Sequence, residues 1–307
     1  MTLPDRIPTR TLWEYLQEQP PEPALLDGLL WPGAVTLLVA VSSAGKTTLT
    51  HRMAACLASG QPFLGIHPPR SLRVLSIDLE SPRAAKEQLL EAIPPVDGWD
   101  TTNIGITGTA AREVLDASEG DAVIIVDNLQ LTRPVNDEQD NAAAMSQIEW
   151  FKVRAQAKNA AILLTFNAGK EDEEHPKGER HIHLARGASA RVDTADVVLN
   201  LVEKGPDNQF TLYVVKSRFG NRGEFVVYKW AGLYDYHVVR HHRPGAGTRE
   251  WAKAQLQTLA LAGPFKRAQA IAAIPNVSAR TIDTGLKELV EAGTLSTPIY
   301  GTYKSTL

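Results

Sequence analysis

The sequence predicts an α/β protein: a core built on a mostly parallel sheet with an antiparallel extension, followed by a small winged-helix-like unit. Three observations predict it. Short apolar runs alternate with helical patterns through the first half of the chain, as parallel strands with crossover helices do. From Ala195 onward, strand-like segments follow one another through Gly, Asn and Asp turns with no helix between them, which antiparallel pairing permits. Beyond His241 the pattern turns to three helices and two short strands. At 307 residues the chain can bury one large core and a smaller second one. The boundaries read as an N-terminal arm over 1–28, a core over 29–243 and a C-terminal unit over 244–307.

The core is organised around one stretch. Val35 to Val39 is a run of β-branched and aliphatic residues behind Trp31-Pro32-Gly33, and it reads as a buried strand. A loop of small residues follows, and Gly45-Lys46-Thr47 then opens a helical pattern through Leu49, Met53 and Cys56-Leu57. Strand, small loop and helix together place a nest of backbone N–H groups at a helix N-terminus, where phosphate binds. This is a Walker A loop. Ser42, Ser43, Ala44, Gly45, Lys46, Thr47 and Thr48 are expected to hold ATP, with Lys46 on the β- and γ-phosphates and the Thr47 hydroxyl on Mg²⁺. The first glycine of the pattern is replaced by Ala40, which costs little if the backbone there keeps a negative φ.

The remaining segments follow in order. The proline-rich arm carries one amphipathic piece, Thr11 to Leu16, suited to packing on its own domain or on a neighbouring subunit. Leu72 to Leu79 is a second apolar run; Ser81 suits an N-cap and Pro82 the first helical position, which leaves Glu80 at the carboxyl end of the strand. Ligands of open α/β sheets lie along that edge. Glu80 is therefore the candidate for activating the attacking water, with Asp78 on the same strand face as the alternative. Ala122 to Val126 is a third strand, and Asp127 ends it in the Walker B manner, as a second holder of Mg²⁺. A polar loop from Thr132 to Asp140 leads into a helix from Asn141. The strand Ala161 to Phe166 then presents Asn167, whose amide either meets the γ-phosphate or caps the turn.

Lys170 to His183 is charged, carries His175, His181 and His183, and reads as a loop without a metal site. Four strands follow, Val197–Leu201, Phe210–Val215, Phe225–Trp230 and Tyr234–Val239, with Lys216 and Arg218 at a strand end. His241 to Thr248 is a linker by composition. The helices of the C-terminal unit run from Trp251 to Leu261, from Phe265 to Ile274 and onward from a Ser278 cap, and short strands flank Tyr300-Gly301. From Arg243 onward there are eight Lys/Arg against four Asp/Glu, a net +4 that leaves −7 for the rest of a chain whose total is −3. Arg280, Thr284 and Lys287 share one face of the last helix, as a groove-reading helix would show, although such units also dock proteins.

No apolar run approaches the roughly 18 residues of a membrane span, and the first residues lack a signal-peptide core. The single cysteine, Cys56, excludes a disulfide framework. A cytoplasmic protein with no membrane partner is expected.

The P-loop with Glu80-Ser81-Pro82, Val126-Asp127-Asn128, Ala185-Arg186-Gly187-Ala188-Ser189 and Lys216-Ser217-Arg218 resembles the RecA-fold ATPases. The resemblance is to the plasmid RepA-type hexameric helicases in particular, over about residues 25 to 240. It implies a homo-oligomer, as a hexameric ring of the DnaB class, in which Lys216 and Arg218 enter the ATP site of the neighbouring subunit. It also implies that the loops after Asp127 and Asn167 grip single-stranded DNA. Two features depart from it: Phe166-Asn167 stands where that family has paired histidines, and the C-terminal unit lies outside its core pattern. The expectation is an ATP-hydrolysing helicase or translocase serving a plasmid, phage or mobile element. Residues 244–307 would bind duplex DNA or a replication protein. The alternatives are a recombinase-like loader that does not unwind, and a nucleotide-gated regulator that reads DNA through the C-terminal unit.

Overall fold

The computed structural model describes residues 22–102, 107–132, 141–168, 189–203, 209–220, 223–230, 235–241, 249–274, 279–296 and 302–306. The amphipathic piece Thr11–Leu16, most of the Thr132–Asp140 loop, the three histidines of Lys170–His183, Arg186, the 242–248 linker and Ser278 lie outside those residues.

The core is one nine-stranded sheet. Its central strand β1 (Val35–Ala40) runs parallel to β5 (Ala161–Asn167) on one side and to β6 (Val197–Glu203) on the other. Beyond β5 lie β4 (Val123–Asp127), β2 (Val74–Asp78) and β3 (Trp99–Thr101), all parallel. Beyond β6 the sheet continues antiparallel through β7 (Gln209–Ser217), β8 (Gly223–Trp230) and β9 (Tyr236–His241). The order is therefore β3-β2-β4-β5-β1-β6-β7-β8-β9.

β1, β2, β4 and β5 are largely apolar and buried because both faces are covered, whereas β3 is a mostly exposed edge strand. Val35, Leu37 and Val39 join Ile124, Ile162 and Leu164 in the core beneath α3 (Gly108–Ala117) and α5 (Asn141–Lys158), which contribute Leu115, Ile148 and Phe151. Leu38 and Ala40 face the other way, with Ile125 and Leu163, against Leu49, Met53 and Leu57 of α1 (Lys46–Ser59). The carboxyl ends of β1, β2, β4 and β5 thus meet along one edge, and every polar side chain there projects from a strand that cannot shift register without exposing its core face.

The C-terminal unit has its own apolar core, including Leu256, Phe265, Ile274, Ile282, Leu286 and Leu295. It runs α7 (Arg249–Ala262), β10 (Phe265–Lys266), α8 (Arg267–Ala273), α9 (Ala279–Glu291), β11 (Leu295–Ser296) and β12 (Thr302–Ser305). The three strands pair in the order β10-β12-β11.

Several elements differ from the sequence expectation. β1 extends one residue further, to Ala40. Ser81 is not the N-cap of the helix after β2: the Asp78 carboxylate accepts the N–H groups of Glu80 (3.1 Å) and Ser81 (2.9 Å), and this turn delays the helix by one residue. Pro82 is the cap and α2 runs Arg83–Ala92. Phe265 opens a strand rather than a helix. The Gln269 side chain accepts the Lys266 N–H at 2.7 Å, so α8 starts only at Arg267. β3 and α3 carry no strong run of their own; α3 is announced by Thr107, whose hydroxyl accepts the Ala110 N–H.

Candidate functional site

The loop after β1 is shaped by two left-handed residues. Ser43 has φ 65° and Gly45 φ 81°, and between them Ala44 donates back to the Val41 carbonyl at 3.3 Å. Alternating backbone hand turns successive N–H groups inward, which makes an anion cradle. Gly45 is also the N-cap of α1 and supplies no side-chain cap, so the dipole end of a 14-residue helix faces the same hollow.

Lys46 is buried and donates to the carbonyls of Ala40 (3.2 Å) and Val41 (3.0 Å), which holds it across the loop. Burial pushes its pKa below the usual lysine value, opposed by Asp127 and Glu80. Ala40 is the last strand residue and has no left-handed backbone. Its contribution to the loop is its carbonyl, which alanine supplies as well as glycine.

Asp127 closes the hollow from β4. The Thr47 hydroxyl donates to Oδ2 at 2.5 Å, and the buried Thr165 hydroxyl donates to Oδ1. The carboxylate is thereby fixed toward the start of α1. A hydroxyl and a carboxylate oxygen meeting there form the hard-oxygen set that suits Mg²⁺.

Of the two carboxylates at the carboxyl end of β2, Asp78 is buried and Glu80 is exposed. The backbone hydrogen bonds that Asp78 accepts from Glu80 and Ser81 are joined by the Lys86 ammonium at 3.5 Å and by His51 at 4.0 Å. Burial alone would raise its pKa, but the bonds from Ser81 and Glu80 and the charge of Lys86 outweigh it, and the carboxyl sits below its ordinary value. Its carboxylate is thus engaged within the fold, by the turn that follows it and by Lys86. Glu80 is exposed and accepts a 2.7 Å hydrogen bond from the Asn128 amide. Asn167 ends β5 in register with Ala40, beside the loop.

Lys216 and Arg218 lie at the far edge of the sheet. Arg218 N donates to the Asp196 carbonyl, and Asp196 N to that of Val35, so Arg218 sits next to the first residue of β1 while the loop follows the last. The two basic residues are also not a pair. Lys216 donates to the carbonyls of Val192 (2.9 Å), Asp193 (2.5 Å) and Ala195 (2.8 Å) at the end of α6 (Ser189–Thr194). Burial lowers its pKa, as does the neighbouring Arg218. An ammonium with its three protons on carbonyls serves as a helix clasp, which corrects the expectation that it reaches outward. Arg218 is more than half exposed, 3.4 Å from Asp196, and its neighbour Phe219 stacks on Trp31 at 4.5 Å.

Sequence reasoning gave no role to Thr165, Asp196 or Trp230, and quoted Asn128 only within the Val126-Asp127-Asn128 motif. A Cβ added to Gly45 would lie 3.8 Å from the Trp230 indole nitrogen, which brings the end of β8 against the loop. Asn128 follows Asp127 directly and was visible as a strand-end polar group, whereas Thr165 is a lone hydroxyl in an apolar run. Among the described residues no cluster of three or more His, Cys, Asp or Glu could hold a metal, and no helix is long and apolar enough to cross a membrane.

A family model described as AAA domain matches residues 4–173. No match is found among curated proteins. Among solved structures, the chain is similar to one whose title describes it as an ATPase domain, with TM-score 0.55, 12% identity, 75% of this chain covered and 96% of that one. It is likewise similar to the structure titled "The Structure Of A DnaB-Like Replicative Helicase And Its Interactions With Primase", with TM-score 0.54 and 13% identity, covering 73% of this chain. The chain spans 64% of that protein's length. An alignment with the RadB recombinase has TM-score 0.47, 15% identity, and covers 69% of this chain and 93% of that one. The fold is thus that of the RecA-type ATPase domains the sequence resembles.

Proposed function

The chain belongs to the AAA domain family, and from that premise we propose that it is an ATP-driven, head-to-tail oligomer that moves along single-stranded DNA, in the manner of a ring helicase. One observation carries the proposal: Lys46, Thr47, Asp127 and Glu80 converge on one edge of the sheet while Arg218 is exposed at the other.

The loop N–H groups and Lys46 take the phosphates. Thr47 and Asp127 would hold Mg²⁺, which would supply positive charge to offset that of the phosphates. Glu80 orients the attacking water and takes its proton, and Asn167 contacts the γ-phosphate. Arg218 of a neighbouring protomer meets the charge that develops on the transferred group. Movement of the segments after Asp127 and Asn167 with nucleotide state grips the phosphate backbone of DNA, independent of base and weakened by salt. The domain division proposed is 1–28, 29–243 and 244–307. The order helix, strand, helix, helix, strand, strand over 249–305 supports a winged helix in the last of these. It takes duplex DNA or a replication protein, in a cytoplasmic setting.

The test is ATP hydrolysis against protein concentration, with and without single-stranded DNA, alongside strand displacement on a tailed duplex. The proposal expects hydrolysis to rise with assembly and with DNA, and Glu80→Gln to bind ATP without turnover. Full-speed hydrolysis by demonstrably monomeric protein overturns it. DNA-stimulated hydrolysis with no displacement assigns the protein to the loader class instead.

A further inference from the structure

Asn128 stands between the proposed base and the interior of the protein. Its amide nitrogen donates to Glu80 Oε2 at 2.7 Å, while its amide oxygen accepts the Leu131 N–H at 3.3 Å and so caps α4 (Leu129–Thr132). The side chain is almost fully buried, and Glu80 is not. Of the pair, Asn128 is therefore the member whose place the fold determines.

What fixes it is a buried polar chain. Gln147 of α5 donates to the Leu129 carbonyl at 3.0 Å and to the Thr132 hydroxyl at 3.2 Å, which holds α4 from beneath. Arg191 of α6 in turn donates from Nε to the Gln147 side-chain amide oxygen, Oε1, at 3.3 Å. All of these groups are buried, and half-satisfied buried polar networks are costly, so each member constrains the next. α6 is the helix whose end Lys216 clasps, two residues from Arg218. The chain of contacts thus runs from the Arg218 edge of the sheet to Glu80.

We infer that Asn128 is a positioning residue that aims the Glu80 carboxylate for water activation, and that it is held in that role by α4, Gln147 and Arg191. The inference rests on Glu80 being the base. Glu80 is exposed and turns about three side-chain bonds; Lys46 acts on it through charge, and the Asn128 amide gives its carboxylate a directed hydrogen bond. A displacement of about 1 Å in such a group can cost on the order of 100-fold in rate.

Asn128→Asp separates this role from the helix cap. Aspartate keeps an oxygen for the Leu131 N–H but loses the donor to Glu80 and places a like charge against it. We expect kcat to fall by about 10- to 100-fold, with the dissociation constant of a fluorescent ATP analogue within about twofold of wild type; the buried like charge lowers the melting temperature, so both are measured where circular dichroism shows the variant folded. Asn128→Ala removes the cap as well, and is expected to lose the same catalytic factor plus stability. Wild-type turnover in Asn128→Asp overturns the inference, as does a fall in kcat matched by an equal loss of nucleotide affinity. Glu80→Gln is measured in parallel: if it turns over normally, the base assignment itself fails, whereas an inactive Glu80→Gln beside a fully active Asn128→Asp refutes the positioning role alone.

Discussion

Arg218 gives the sharpest test, because its position decides whether one protomer can be a complete enzyme. Between the backbone contact that places Arg218 and the loop that follows Ala40 lies the length of β1, five residue steps or about 16 Å. That is further than an arginine side chain reaches. The only described carboxylate it meets is Asp196, at 3.4 Å, and that buried carboxylate keeps Lys152 at 2.7 Å and the Val35 N–H at 3.1 Å whether or not Arg218 stays. The guanidinium can therefore leave Asp196 for a neighbour's phosphate at little cost, while Lys216 and the Trp31–Phe219 stack keep its backbone in place.

Arg218→Ala is expected to lower kcat by about 10³- to 10⁵-fold, the usual worth of such a finger, with ATP affinity nearly unchanged. The decisive assay mixes it in equal amounts with Glu80→Gln. Each variant alone is inactive. In a head-to-tail assembly with random exchange, about one interface in four joins an intact Glu80 to an intact Arg218, so roughly a quarter of wild-type hydrolysis returns. A residue acting within its own chain gives no recovery, and that result refutes the reasoning.

Lys46→Ala is expected to abolish binding of a fluorescent ATP analogue, since it removes the cation at the cradle; retained affinity would mean the loop does not hold phosphate. Gly108→Ala is expected to destabilise by about 1–3 kcal/mol in urea unfolding, because the added Cβ would lie 2.2 Å from the Leu131 carbonyl oxygen and overpacking outweighs the better helix propensity of alanine. Burial lowers the pKa of His51 below 6.5, against the opposing charges of Asp78 and Asp127. Its contribution to stability is full above that value and is lost as pH falls, because the unfolded chain takes up the proton first. Thermal melting between about pH 7 and pH 5 should thus fall less steeply in His51→Gln than in wild type.

The parts of the site carried by the backbone pattern were legible in the residues. Val35–Ala40, the small loop and the α1 pattern place Lys46 and Thr47 without further information, and Asp127 follows from an apolar run that stops in an acid. Legibility ended where function depends on which side chain takes which partner. By period-two spacing Asp78 and Glu80 read as one strand face, but β2 ends at Asp78, and the turn that engages the Asp78 carboxylate tells them apart. Lys216 and Arg218 read as one basic motif, but β7 ends at Ser217, so Lys216 is turned under the end of α6 and Arg218 is left outside. Asn128 was visible only as the last residue of the Val126-Asp127-Asn128 motif, without a role of its own, because its significance comes from Glu80, 48 residues away.

The two edges of the sheet bear on the choice between a helicase and a loader. A site completed by a residue from the opposite edge requires a heterologous interface, and such an interface either closes into a ring or propagates as an open helix. The catalytic residues are the same in both cases; only the rotation between neighbours differs. Closure predicts one fixed stoichiometry when ATP and single-stranded DNA are added, whatever the DNA length. Propagation predicts a mass that grows with the strand. Light scattering on DNA of several lengths separates them, and a fixed mass together with recovery in the Arg218→Ala and Glu80→Gln mixture would place the shared site inside a ring.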